Sequence, residues 1–120
     1  MKENIVQQKS FDFAVRVVKL YQFLVKEKKE FVLAKQMLRS GTSIGANVEE
    51  AIGGQSDKDF TAKMSIAYKE ARETVYWLRL LYATDYLNQV EFDSIYTSAE
   101  ELCKIIGKIK ISMRIKMNNS

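Results

Sequence analysis

The sequence predicts an all-α protein, an antiparallel up-down-up-down four-helix bundle. Three observations carry this. Proline is absent from all 120 residues, so the commonest helix breaker is missing. Only five glycines are present, too little punctuation for a chain of strands and tight turns. Apolar residues recur at three- and four-residue steps over four long stretches separated by short polar breaks. Short connections between long helices set neighbours antiparallel.

The first helix is expected over residues 10–28. Ser10 suits an N-cap, and Phe13, Val17, Leu20 and Leu24 mark one face. Ala14, Val18, Tyr21 and Val25 lie beside them, so the apolar stripe is wide. The charged run 26–30 ends the helix and makes the turn. The second helix is expected over 31–52. One of its faces carries Leu33, Met37, Ser40, Ile44, Asn47 and Ala51; another carries Ala34, Leu38, Gly41, Gly45, Val48 and Ile52. Ser40 and Asn47 on an apolar stripe need partners if they are buried. Gly41 and Gly45 lie one turn apart, although each costs up to ~1 kcal/mol against alanine in a helix. Such a small-residue pair allows another backbone to approach closely; the alternative is a weak or kinked helix middle.

Gly53-Gly54 breaks the chain. The third helix is expected over 57–83, with Ser56 and Asp59 spaced as a capping pair. Its stripe is Phe60, Met64, Ala67, Ala71, Thr74, Leu78 and Leu81. Asn88 and Glu91 form another capping pair. They open a fourth helix, expected over 89–113, with a heptad pattern of Phe92, Ile95, Ala99, Leu102, Ile106, Ile109 and Met113. Residues 114–120 are expected to be a disordered tail. No repeat, low-complexity linker or second domain is apparent.

Several chemistries have no residues to perform them. Histidine is absent, which removes the commonest general base and transition-metal ligand. The only cysteine, Cys103, sits in an apolar pattern as a small hydrophobe and cannot form an intramolecular disulfide or a zinc site. There is no phosphate-cradling or dinucleotide-binding glycine motif. The reading is therefore a non-enzyme without cofactors or metals. No run has the length of a signal peptide or a membrane span, so a cytoplasmic protein with no membrane partner is expected.

The net charge of +4 is unevenly placed. Lys104, Lys108, Lys110, Arg114 and Lys116 fall in the last seventeen positions, which contain no acid. The rest of the chain is close to neutral. A basic end suits a polyanion such as RNA or DNA; equally, cations at a helix C-terminus suit its dipole. Among the acids, Glu49, Glu50, Glu70 and Glu73 are the only candidates for a carboxylate site. Arg39 precedes the Gly54 turn by about as many residues as Glu70 follows it, so an ion pair from Arg39 to Glu70 or Glu73 is the structural alternative. The tyrosines and Trp77 are spaced as core or core-edge residues more than as base-stacking platforms.

The runs Gln36-Met37-Leu38-Arg39-Ser40, Ser43-Ile44-Gly45-Ala46-Asn47-Val48-Glu49-Glu50-Ala51, Ser56 with Asp59-Phe60, and Lys69-Glu70-Ala71-Arg72-Glu73-Thr74 with Tyr76-Trp77-Leu78 resemble the four-helix-bundle family found in 23S ribosomal RNA intervening sequences. The likeness covers about residues 10–113. The accessory variability protein of diversity-generating retroelements resembles the same superfamily. The resemblance implies a homopentameric ring or barrel, no known catalytic activity, and for some relatives RNA or DNA as partner. It implies interhelix or intersubunit polar roles for Arg39, Ser43, Asn47, Glu50 and Glu70. Independently, helices one to three carry nearly two apolar stripes each, and surplus apolar surface marks an interface. The expectation is an oligomeric adaptor that binds structured RNA or DNA through the C-terminal cations. The alternative is a protein-interaction scaffold without nucleic acid.

Overall fold

Helices α1 (Lys2–Lys26), α2 (Val32–Ile52), α3 (Asp57–Ala83) and α4 (Gln89–Asn118) make up nearly all of the chain. The computed structural model describes residues 2–119, with side chains from Ile5 onward. Each helix packs against its chain neighbours, and α1 meets α4 along a thinner seam, giving an up-down bundle measuring 52 × 22 × 21 Å. Among the described residues there is no strand.

The breaks between helices are made by local chemistry. Lys29 takes a left-handed φ of 55°, which turns Glu30 inward until it is buried. Its carboxylate accepts from Val32 N at 3.1 Å and from Leu33 N. Two of the free amides at the start of α2 are thereby satisfied. Ser56 Oγ caps α3 by accepting from Asp59 N at 3.0 Å. Asn88 and Glu91 form a complete capping box, at 2.8 and 2.9 Å, at the start of α4.

The helix limits differ from the sequence reading most at the first and fourth helices. The first helix begins at Lys2, not Ser10, and ends at Lys26. Val6 continues the Phe13–Val17 face one heptad earlier and is fully buried. Ser10 is therefore a core-facing residue inside the helix, its hydroxyl donating to Gln7 O at 3.1 Å. The fourth helix runs through Asn118 and does not end near Met113. Good helix formers fill this last turn, and Lys116 pairs with Asp57 at 3.3 Å. The expected disorder of residues 114–118 is thus replaced by helix, which Asn119 caps, while Ser120 lies outside the described residues.

The core is continuous from Val6, Phe13, Val17 and Leu24 through Met37, Ile44 and Val48 to Met64, Leu78, Leu81, Leu102 and Ile106. Its buried polar pair is Ser40 and Thr74, whose hydroxyl oxygens lie 3.0 Å apart across α2 and α3. Polar groups close the α1–α4 seam. Arg16 donates to Ser94 Oγ and Ser98 Oγ, both at 2.8 Å, and Lys9 pairs with Glu101 at 3.1 Å.

Candidate functional site

The glycine pair of α2 is a close-packing device against α1. A Cβ on Gly41 would lie 2.8 Å from both Val17 methyls, and one on Gly45 would lie 3.3 Å from Ser10 O. The helix backbones approach here because neither position has a side chain.

The opposite flank of α2 meets α3 through charge. Arg39 Nη1 donates to Glu70 Oε2 at 3.0 Å, and Nη2 donates to Glu73. Trp77 Nε1 donates to the same Glu73 oxygen at 2.9 Å. The indole bond, followed by the guanidinium, holds the Glu73 carboxyl below its ordinary range. The hydrogen bond that Arg39 donates to Glu73 is the largest cause of the raised Arg39 pKa. Further along α2, Ser43 Oγ donates to Arg39 O at 2.6 Å, and Asn47 Nδ2 donates to Ser43 O at 2.8 Å. Glu50 pairs with Lys63 at 2.8 Å, and Glu49 accepts from Gln7 at 2.8 Å. The carboxylates considered as a possible metal or catalytic set are all engaged in these links. Among the described residues no three potential ligands converge.

The five C-terminal cations all lie on α4, but they do not form one patch. At ~100° per residue, Lys104 and Lys108 share the side away from the core. Lys110 and Arg114 share a second stripe, roughly 120° round, toward α3. Lys116 sits apart, beside Asp57. Lys110 Nζ lies 4.6 Å from the centre of the Tyr68 ring, and Tyr68 packs over Gly107, where a Cβ would be 3.4 Å from its ring edge. Lys108 rims an apolar groove lined by Ile5, Phe60, Ile105, Ile109 and Met113.

Sequence reasoning missed the cations of α3. Lys69, Arg72 and Arg79 are exposed and share one helix stripe with Tyr76, at spacings of three, four and three. The signal was present but interleaved with Glu70 and Glu73, which made the segment look neutral. Those acids turn toward Arg39 on α2. Arg72 turns the other way, and its guanidinium interacts with the Cys103 thiol on α4. Cys103 itself is buried; burial, and secondarily Glu100, pushes its thiol pKa up.

Apolar side chains also remain in the open. Phe11 is 61% exposed, and Val15 and Val18 continue its stripe one and two turns on, on the side of α1 facing away from Phe13 and Val17. No helix among the described residues is long and apolar enough to cross a membrane.

Known proteins bear on these features at the level of family and fold. A crystal structure from Bacteroides thetaiotaomicron VPI-5482, a protein of unknown function from the S23 ribosomal protein family, is 54% identical. The alignment covers 92% of this chain and 98% of that one, with a TM-score of 0.90. No curated protein matches. Residues 2–108 match the model of the family described as 23S rRNA-intervening sequence protein. With that match spanning most of the sequence, and a fold shared with an S23 family member, the chain belongs to the 23S rRNA-intervening sequence protein family.

Proposed function

We propose that the protein is a non-enzymatic, cytoplasmic adaptor that assembles with copies of itself and binds structured RNA or DNA through its basic C-terminal surface. The observation that carries this is the state of α4. Lys104, Lys108, Lys110 and Arg114 project from an ordered helix that continues to Asn118, in a segment without a single acid. Contacts from such residues go to phosphates and are largely independent of base sequence.

Self-assembly is supported by the exposed Phe11, Val15 and Val18 stripe and by the apolar groove beside Lys108, since contiguous apolar surface favours an interface. The family resemblance implies five subunits. A ring would gather the α4 ends of all copies, and weak phosphate contacts would then act together through effective concentration.

The same apolar surface favours a second reading, a scaffold whose partner is another protein. Binding of the purified protein to a stem-loop RNA and to a matched DNA duplex across a salt series separates the two. Log affinity falling linearly with log salt supports phosphate contacts by several cations. No binding at low salt, where electrostatic attraction is strongest, refutes the nucleic-acid reading and leaves the scaffold.

A further inference from the structure

The α3–α4 side of the bundle combines features that neither helix shows alone. Charge on α3 is sorted by the fold. Glu70 and Glu73 face α2, where Arg39 bridges both. Lys69, Arg72 and Arg79 are left on the other flank without a carboxylate within ion-pair distance among the described residues. On α4, Lys104, Lys108, Lys110 and Arg114 have no carboxylate partner of that kind either. The register is given by Tyr68 packing on Gly107 and by Arg72 reaching Cys103. Lys69 and Arg72 therefore lie at the height of Lys104 and Lys108, across an interhelix spacing of ~8–10 Å. From the level of Arg79 to that of Arg114 the track extends roughly 25–30 Å at 1.5 Å per residue.

Aromatic rings occur in the same track. Tyr76 is 53% exposed and is held edge-on by Trp77, with ring centres 5.0 Å apart at 72°, and Trp77 is in turn anchored to Glu73. Tyr76 is thus braced along one edge and lies one helical turn from Arg72 on the same stripe. Cations tracking a backbone with aromatic rings between them suit unpaired nucleotides, whose bases can leave their own stack and lie on a side chain. A duplex keeps its bases stacked internally and would use the cations alone.

We propose that α3 and α4 together form a binding track for single-stranded nucleic acid, with Lys69, Arg72, Lys104, Lys110 and Arg114 on the phosphates and Tyr76 under a base; Lys108, which rims the groove beside Ile5 of α1, lies outside it. This rests on the nucleic-acid reading above and narrows its partner to single strands, including the loops of structured RNA.

The test compares a single-stranded oligonucleotide with its duplex across a salt series. The proteins are the wild type, Lys69→Gln/Arg72→Gln, a control pair Lys19→Gln/Lys35→Gln on the exposed surface of α1 and α2, and Tyr76→Ala. The track predicts tighter binding of the single strand. The α3 pair lowers the log–log salt slope by about 1.4, at ~0.7 per phosphate contact on single strands, and the control pair leaves it unchanged. Tyr76→Ala weakens single-strand binding about tenfold, within the range for one base–aromatic stack, and leaves duplex binding as it was. An α3 pair that behaves like the control, a silent Tyr76→Ala, or duplex bound as tightly as single strand overturns the two-helix track while the α4 reading survives. Absence of binding by the wild type at low salt overturns both.

Discussion

Substituting Gly41 tests how closely α1 and α2 are locked. In Gly41→Ala the new methyl would lie 2.8 Å from Val17 Cγ1, 2.8 Å from Cγ2 and 3.2 Å from Cβ. Rotating Val17 does not relieve this, because its branched Cβ straddles the glycine and holds a methyl on either side. Val17 is also fully buried, so the helices must move apart. Overpacking of this kind costs about 1–3 kcal/mol. Alanine returns up to ~1 kcal/mol in helix propensity. The expected net loss is about 1–2 kcal/mol, or a Tm lowered by roughly 3–10 °C for a chain of this size. Thermal and urea unfolding at fixed protein concentration measure it, since assembly makes Tm concentration-dependent. The decisive arm is a double-mutant cycle. Val17→Ala alone loses about 2 kcal/mol of buried methyl groups. In the Val17→Ala background the two 2.8 Å overlaps are gone and only the 3.2 Å approach to Cβ remains, so Gly41→Ala should cost clearly less there. An equal cost of Gly41→Ala in both backgrounds would refute the notch-and-valine packing.

Three further outcomes follow from the buried and paired groups. Thr74→Val removes the hydroxyl facing Ser40 and should cost about 1–2 kcal/mol, whereas Ser40→Ala/Thr74→Val together should cost less than the single change, because no buried hydroxyl is left facing an apolar group; urea unfolding of the three variants reads this. Glu73, held below its ordinary pKa by Trp77 and Arg39, contributes stability that is present above the unfolded carboxylate pKa and lost as pH falls through the lower folded one. Glu73→Gln should therefore flatten the acid limb of a stability–pH curve by less than about 1 kcal/mol, the scale of a partly exposed pair, and an unchanged limb would show the pairing to be energetically empty. The buried Cys103 thiol, its pKa raised, should resist an alkylating reagent at mildly alkaline pH in the native protein and react readily in denaturant; rapid native labelling would contradict its burial.

The fold was legible in the sequence because each helix announces itself locally. The heptad of α4, the Asn88–Glu91 capping box and the Gly53-Gly54 break depend on neighbours a few residues away. The errors have equally local causes. Ser10 has the chemistry of a cap, but the Val6–Phe13 spacing continues the helix through it, and only the seat against Gly45 shows why a small polar residue sits there. Glu30 looked like part of a solvated charged turn, yet it is buried as the acceptor for the first amides of α2. The last turns of α4 looked like a fraying end because their cations suggest solvent and the anchoring Asp57 is far away in sequence.

The sequence by itself determined the helix periods, the absence of histidine chemistry, the basic C-terminal end and the pairing height of Arg39 with Glu70. Short-range spacing and composition carry all of these. Only the tertiary structure decided which neighbour each flank of α3 meets. Glu70 and Glu73 turn to Arg39, Arg72 turns to α4, and a segment neutral along the chain becomes acidic on one side and basic on the other. A charge's neighbours in a bundle are set by the packing of helices distant in sequence, and no periodicity within one helix records them.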